Sequence, residues 1–311
     1  MKLAVLSIIL LLTVLSLGAS VFDNLNPVAQ KAIEHVRTLS GEKYQFDQHA
    51  AIFGGLIDED ESLSMSYDLV SGKAYKIFLF GDDEAYDLDL KVYDEDDVMV
   101  ESDTSTDDTS FLTFTPASNG VYRIEAINYS SYEATFLICG LMSPGTRTNN
   151  HTELFSQAMN KLITFGKESD SSNSYHFVPN TIAFSGGLVA SGENGCVYGL
   201  SLPGEYTVKI GAVGSNNSTD VDIKVTRQTS REEADVDWYA SDAGEIAADS
   251  STDDTALITA TLSEDNYYAY KYRNYSSTGN AFLIYFVATE GEVSSKPSDD
   301  DDDWDDDDWW W

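Results

Sequence analysis

The chain carries one pattern twice, and that repeat governs what it can fold into. Ser102-Asp-Thr-Ser-Thr-Asp-Asp-Thr109 returns as Ala248-Asp-Ser-Ser-Thr-Asp-Asp-Thr255, an offset of 146 residues. The same offset carries Tyr122 to Tyr268, Asn128-Tyr-Ser-Ser131 to Asn274-Tyr-Ser-Ser277, and Phe136-Leu-Ile138 to Phe282-Leu-Ile284. Upstream the offset is 133, where Asp87-Leu-Asp-Leu-Lys-Val92 matches Asp220-Val-Asp-Ile-Lys-Val225, and 131 where Tyr75 matches Tyr206. Ordered matches with small drifts mark a duplication followed by loop insertions and deletions. The 13-residue step puts an insertion in the second copy at Arg227 to Tyr239, rich in Glu and Asp and so expected as a surface loop.

Each copy opens on a helical pattern. Asn26-Pro27 reads as a cap and first-turn proline, followed by Val28, Ala32, Ile33, Val36 and Leu39, with Ser40-Gly41 as the stop. In the second copy Leu154, Phe155, Ala158, Leu162, Ile163 and Phe165 recur, and Gly166 is the expected end. These stripes predict core contacts against a sheet. The remainder reads as strands: Tyr75–Phe80, Leu88–Tyr93, Ser110–Thr115, Gly120–Ala126 and Ala134–Ile138, separated by Gly, Asp, Asn and Ser. Leu88, Leu90 and Val92 alternate with Asp87, Asp89 and Lys91, the period of a half-buried strand. The expected fold is mostly β: two tandem antiparallel β-sandwich, jelly-roll-like modules, each preceded by a short helix. The expected boundaries are 21–143 and 144–292 for the modules and 293–311 for an acidic tail.

The first twenty residues predict export. Lys2 precedes an apolar run to Leu17, and Gly18-Ala19-Ser20 supplies small residues for cleavage after Ser20. That run is short for a bilayer span, and no second one follows, so a secreted or cell-surface protein without a transmembrane span is expected. The net charge is −35, and −26 without the nine aspartates of the tail. Such a surface excludes nucleic acid, whose phosphates need clustered Lys and Arg, and suits a salty or cation-rich medium. Cys139 and Cys196 fall at non-equivalent places in the repeat. Export permits a disulfide between them, while the run around Cys139 reads as core.

On these strands the first copy resembles the bacterial and archaeal pre-peptidase C-terminal domains. The residues that carry the resemblance are Tyr75–Phe80, the turn Gly81-Asp82-Asp83, the strand Asp87 to Asp94, Ser102-Asp103, Phe111–Thr115 and Gly120 to Ile124. It spans Ser64 to Cys139 and is weaker from Cys196 to Tyr285. It implies a small non-catalytic β-sandwich, usually an accessory to a secreted enzyme, with ligand or matrix attachment and, in some members, Ca2+ binding.

Carboxylates form the candidate site. Asp82, Asp83, Asp87 and Asp89 lie at a turn and its outgoing strand, and Asp103, Asp107 and Asp108 in a following loop. Asp220, Asp222, Asp249, Asp253 and Asp254 repeat them. Converging oxygen ligands suit Ca2+; Asx turns on a solvated acidic face are the plainer account. His35, His49, His151 and His176 are scattered, and neither HExxH nor GxSxG occurs, so no enzyme is expected. A secreted hydrolase or peptidase-associated factor is the alternative, and a pocket holding a buried, pKa-shifted carboxylate pair would distinguish it. Asn128, Asn150, Asn216, Asn217 and Asn274 begin N-x-S/T triplets; Asn128 and Asn274 read as one structural corner used twice. The tail, Asp299 to Asp308 interrupted by Trp304 and closed by Trp309, Trp310 and Trp311, cannot fold alone. Its tryptophans predict docking of a sorting or surface partner. The partner of the body, an extracellular protein or polysaccharide, is not specified.

Overall fold

Val21–Gly41 forms α1, whose buried residues Phe22, Leu25, Val28, Ala29, Ala32, Ile33, Val36 and Leu39 make one apolar stripe. This is a computed structural model, and it describes residues 20–145, 150–230, 238–239 and 244–290; the expected leader lies outside that range save for Ser20. The helix begins five residues before the expected Asn26-Pro27 start, because Phe22 and Leu25 extend the same stripe. Ser20 caps it by accepting from Phe22 N, and Pro27 is carried inside on the exposed face. Packing here overrides the proline's preference for the first turn. His151–Ser169 forms α2 and runs past Gly166. Gly166 is an approach point rather than a stop, since a Cβ there would lie 2.4 Å from the Phe22 ring.

The first copy supplies β1 (Tyr44–Gln45), β2 (Ile52–Ile57), β3 (Glu61–Leu69), β4 (Tyr75–Gly81), β5 (Ala85–Tyr93), β6 (Met99–Asp103), β7 (Thr109–Phe114), β8 (Gly120–Ser131) and β9 (Thr135–Pro144). The second repeats the series as β10 (Tyr175–His176), β11 (Phe184–Val189), β12 (Asn194–Leu200), β13 (Tyr206–Gly214), β14 (Ser218–Gln228), β15 (Glu245–Asp249), β16 (Thr255–Leu262), β17 (Tyr267–Ser277) and β18 (Ala281–Glu290). Every pairing is antiparallel, and the molecule is mostly β. Each copy has a four-stranded outer sheet, β3-β8-β5-β6 in the first and β12-β17-β14-β15 in the second.

The inner strands of both copies join into one ten-stranded sheet, in the order β16-β13-β18-β11-β2-β9-β4-β7, with β1 and β10 added beside β9 and β18. The join is β2 against β11, with Phe184 opposite Gly54, Ser185 opposite Phe53 and Gly186 opposite Ile52. Gly54-Gly55 and Gly186-Gly187 are themselves repeat equivalents, 132 residues apart. Phe53 therefore pairs with its own counterpart, Ser185, as a local two-fold axis requires.

Three layers result. Phe53, Leu79, Leu137, Cys139, Leu283 and Tyr285 face a core shared with the outer sheets. Ile52, Phe78, Phe136, Ile138, Phe282 and Phe286 face a second core under the two helices. Strands β9 and β18 are buried on both faces, so they read as unbroken apolar runs rather than alternating ones. On β5, Leu88, Leu90 and Val92 enter the core as expected, which turns Asp87, Asp89 and Lys91 to the outer face. No helix among the described residues is long and apolar enough to cross a membrane.

Candidate functional site

The twelve aspartates separate into three groups. Asp82 accepts from Glu84 N at 3.1 Å, Phe136 N at 2.9 Å and the Thr135 hydroxyl, which closes the turn into β5. Asp103 accepts from Ser105 and Ser110 hydroxyls, each at 2.9 Å, and from Phe111 N at 2.9 Å. Burial alone would raise the Asp103 carboxyl, but these bonds outweigh it and hold it below the usual range. Asp249 does the same in the second copy, accepting from Ser251 N at 2.8 Å and Leu257 N at 3.0 Å, again with a lowered carboxyl despite burial. These three organise turns, and their hydrogen bonds account for them.

Asp83, Asp108 and Asp254 hold the helices. The Lys31 ammonium on α1 lies 3.4 Å from Asp83 and 3.9 Å from Asp108 and donates to Gly81 O at 3.0 Å. Lys161 on α2 pairs with Asp254. Each copy thus ties its helix to the same loop with one lysine.

Asp87, Asp89 and Asp107 remain in the first copy, and Asp220, Asp222 and Asp253 in the second. The loops bearing Asp107 and Asp253 are strapped to the strands by Leu88 N to Asp107 O at 2.9 Å and Val221 N to Asp253 O at 2.8 Å. Asp89 is 6% exposed and Asp222 4%, and among the described residues neither side chain accepts a hydrogen bond. The Oδ1 atoms of Asp87 and Asp220 are buried without a partner in both copies. Burial, then the neighbouring Asp107, raises the Asp87 carboxyl. Asp89 is raised by burial and by Asp87, with Lys91 opposing. Asp220 is raised by burial and Asp253, with Arg273 opposing. Burial and Asp220 push Asp222 up to about 6 against the pull of Arg273. Two carboxylates spaced i, i+2 on one strand face are neighbours with no donor between them, and that is an expensive arrangement without a counter-charge.

Among the described residues no three His, Cys, Asp or Glu side chains are grouped so as to hold a metal ion. The cage of many carboxylates anticipated from sequence therefore reduces to a pair in each copy with Asp107 or Asp253 near it, and the other six aspartates are committed to turns and helices. The orphaned oxygens still fit an oxygen-seeking cation, because Ca2+ accepts carbonyl and water ligands beside one or two carboxylates. Two open cavities among the described residues do not include the pairs. One, of about 490 Å3, is lined by Asp94, Glu95, Val100 and Phe114; the other, of about 660 Å3, by Asn150, Gln157, Asn216 and Asn280.

Several residues that sequence reading passed over shape the second copy's outer face. Trp238, inside the insertion expected as a surface loop, is 8% exposed and packs over Lys224, whose ammonium donates to Trp238 O at 3.1 Å. Arg273 is held among Tyr239, Tyr275 and Trp238. A charge at position 273 where the first copy has Ile127 was the available signal. Cys139 is buried and Cys196 half-buried, no disulfide joins them, and burial pushes the Cys139 thiol up. His35 packs against Phe78, Phe80 and Phe111, and burial lowers its imidazole. The tail tryptophans Trp304, Trp309, Trp310 and Trp311 lie outside the described residues.

The fold and site define a mostly β protein of paired sandwiches with acidic outer-sheet faces. No protein-family model matches the chain, and no curated protein does. Among solved structures, the tandem CBM51 modules of the family 98 glycoside hydrolase Sp3GH98 from Streptococcus pneumoniae are similar at 11% identity, covering 77% of this chain and 83% of that one, with a TM-score of 0.21. The tandem CBM22 domains of Xyn10C from Paenibacillus barcinonensis match at 6% identity over 79% and 99%, TM-score 0.21. The exported PBSX protein XepA matches at 10% over 79% and 93%, TM-score 0.25. At such scores these likenesses assign no function.

Proposed function

We propose that this chain is a secreted or cell-surface, non-catalytic binding and structural protein whose outer-sheet carboxylate pairs are cation sites of the Ca2+ type. One observation carries the reading: a nearly buried carboxylate without donors stands beside a carboxylate with an orphaned oxygen, at the same strand position in both copies. Asp87 and Asp89, or their counterparts, would supply the carboxylate ligands, with main-chain oxygens and water completing the shell. When bound, the ion would neutralise the pair and tie β5 to the loop bearing Asp107. The exposed Tyr86, whose ring meets that of Tyr132 at 4.2 Å, adjoins Asp87. That aromatic surface beside an acidic site supports an extracellular polysaccharide or protein as partner. The resemblance to pre-peptidase C-terminal modules agrees with this reading and rests on its motif residues alone.

Calorimetric titration with Ca2+, together with thermal melts in Ca2+ and in EGTA, tests it. Heat of binding and a melting point higher in Ca2+ are expected; no heat and identical melts would sink the cation site. The hydrolase alternative draws on the raised carboxyls of the two pairs. Turnover in a glycan or peptide screen, lost on Asp89→Asn or Asp222→Asn, would establish it instead.

A further inference from the structure

We propose that the free edge of β6 and the groove beside it dock an extended peptide of alternating apolar and basic residues, added to the first copy's outer sheet as a further strand. This goes beyond the cation-site reading and does not depend on it. Tyr86 and Asp87 stand at one end of β5 and the groove at the other, beside Asp94, roughly 25 Å apart at the usual rise of a strand.

Strand β6 ends its sheet. It pairs with β5, and among the described residues no strand lies along its other edge. A free edge is a template for another strand, and native edges are commonly guarded by charge or proline. This one instead presents Val98 at 55% exposure, Met99 at 52% and Val100 at 41%. The second copy shows the guarded form. At the 146-residue offset, Val98, Met99 and Val100 correspond to Gly244, Glu245 and Ile246. Glu245 pairs with Lys224 at 3.3 Å, and Ile246 is packed against the core. The strand is kept in both copies, and the first has turned apolar side chains to solvent along it.

The cavity of about 490 Å3 opens beside this edge, lined by Val100 and Glu101 of β6, Phe114 of β7, Val121 of β8 and the turn Asp94 to Asp96. Val121 is 45% exposed, so the apolar surface continues from β6 into the groove. Four carboxylates and no lysine or arginine line it, and that charge selects the occupant. A second copy would bring the same four acids and a net charge of −35, and the chain's own tail would bring nine aspartates; both are repelled. Lysine and arginine side chains are attracted. The rings in the wall, Phe114 and Tyr122, are each 5% exposed, so they offer no face on which a sugar could stack. Main-chain pairing along an edge, with alternate side chains reading apolar and charged surface, is a peptide's mode of binding.

The test is fluorescence anisotropy of a short labelled peptide alternating Lys and Val, titrated with the full chain at physiological ionic strength. Binding is expected, and its absence overturns the inference. Val100→Lys, which sets a guarding charge on the edge, should weaken binding about tenfold or more. Tyr198→Lys, at a comparably exposed position of the second copy, should leave it unchanged; equal effects of the two variants overturn the inference. The same peptide N-methylated throughout, which cannot donate to an edge, and one with serine in place of valine should both fail to bind. Undiminished binding of either means that charge alone attracts the peptide, and overturns the inference. Sedimentation velocity without peptide covers the remaining occupant: a dimer that Val100→Lys dissociates would give the edge to a second copy and overturn the inference. If Val100→Lys is not native by circular dichroism, Glu101→Lys at the neighbouring exposed position carries the same expectation.

Discussion

At the scale of residues, the repeated Asn-Tyr-Ser-Ser motif shows how one amide can set a corner. The Asn128 amide donates to Ile57 O at 3.2 Å and Ser131 Oγ at 2.8 Å; Asn274 donates to Val189 O at 2.8 Å and Ser277 Oγ at 2.7 Å. Both are 0% exposed. Removing a buried amide leaves its partners unsatisfied, so Asn128→Ala and Asn274→Ala should each cost about 1–3 kcal/mol, read as a lower midpoint in urea. Mass spectrometry of the folded protein made in a glycosylating host should find both asparagines bare, despite their N-x-S sequence; a glycan on either contradicts the corner. The equivalence of the two corners was legible in sequence. The division of the aspartates was not, because a turn-forming Asp and an unpartnered one have the same spacing and differ only in which donors the loop brings.

At the scale of elements, the strands that sequence reading omitted are the instructive ones. β2 and β11 carry paired glycines, which lower strand propensity, yet they form the join. The glycines are there for proximity: a Cβ on Gly54 would lie 2.1 Å from Leu137 O, and one on Gly186 would lie 2.1 Å from Leu283 O. Backbone oxygens cannot swing aside as side chains do. Gly54→Ala and Gly186→Ala are each expected to lose about 3 kcal/mol through forced backbone shifts, whereas Gly41→Ala, with nothing within 4 Å, should be near neutral. Chemical denaturation of the three variants checks this, and equal effects would remove the close-approach account. The early start of α1 has the same kind of cause. Phe22 is drawn into the helix by Phe177 and Phe286, whose ring centres lie 5.3 Å and 5.1 Å away in the second copy.

At the scale of the whole molecule, the halves share too much to unfold separately. One sheet crosses the join, α1 pairs with α2 through Asp23 and Lys167, and the Tyr272 hydroxyl donates to His49 O at 2.6 Å. Scanning calorimetry should therefore show one transition, with calorimetric and van't Hoff enthalpies in agreement; two resolved transitions would mean that the sandwiches are independent. The sequence by itself determined the duplication, the β-rich class, the helix opening each copy and the outward face on which Asp87 and Asp89 stand. Those follow from residue order and period, which are local. Only the tertiary structure decided that the copies fuse through glycine strands, that half of the twelve candidate aspartates serve turns and helices, and that Arg273 lies opposite Asp222 where Ile127 lies opposite Asp89. Each of those depends on which residue faces which across strands far apart in the chain, and no local pattern records that.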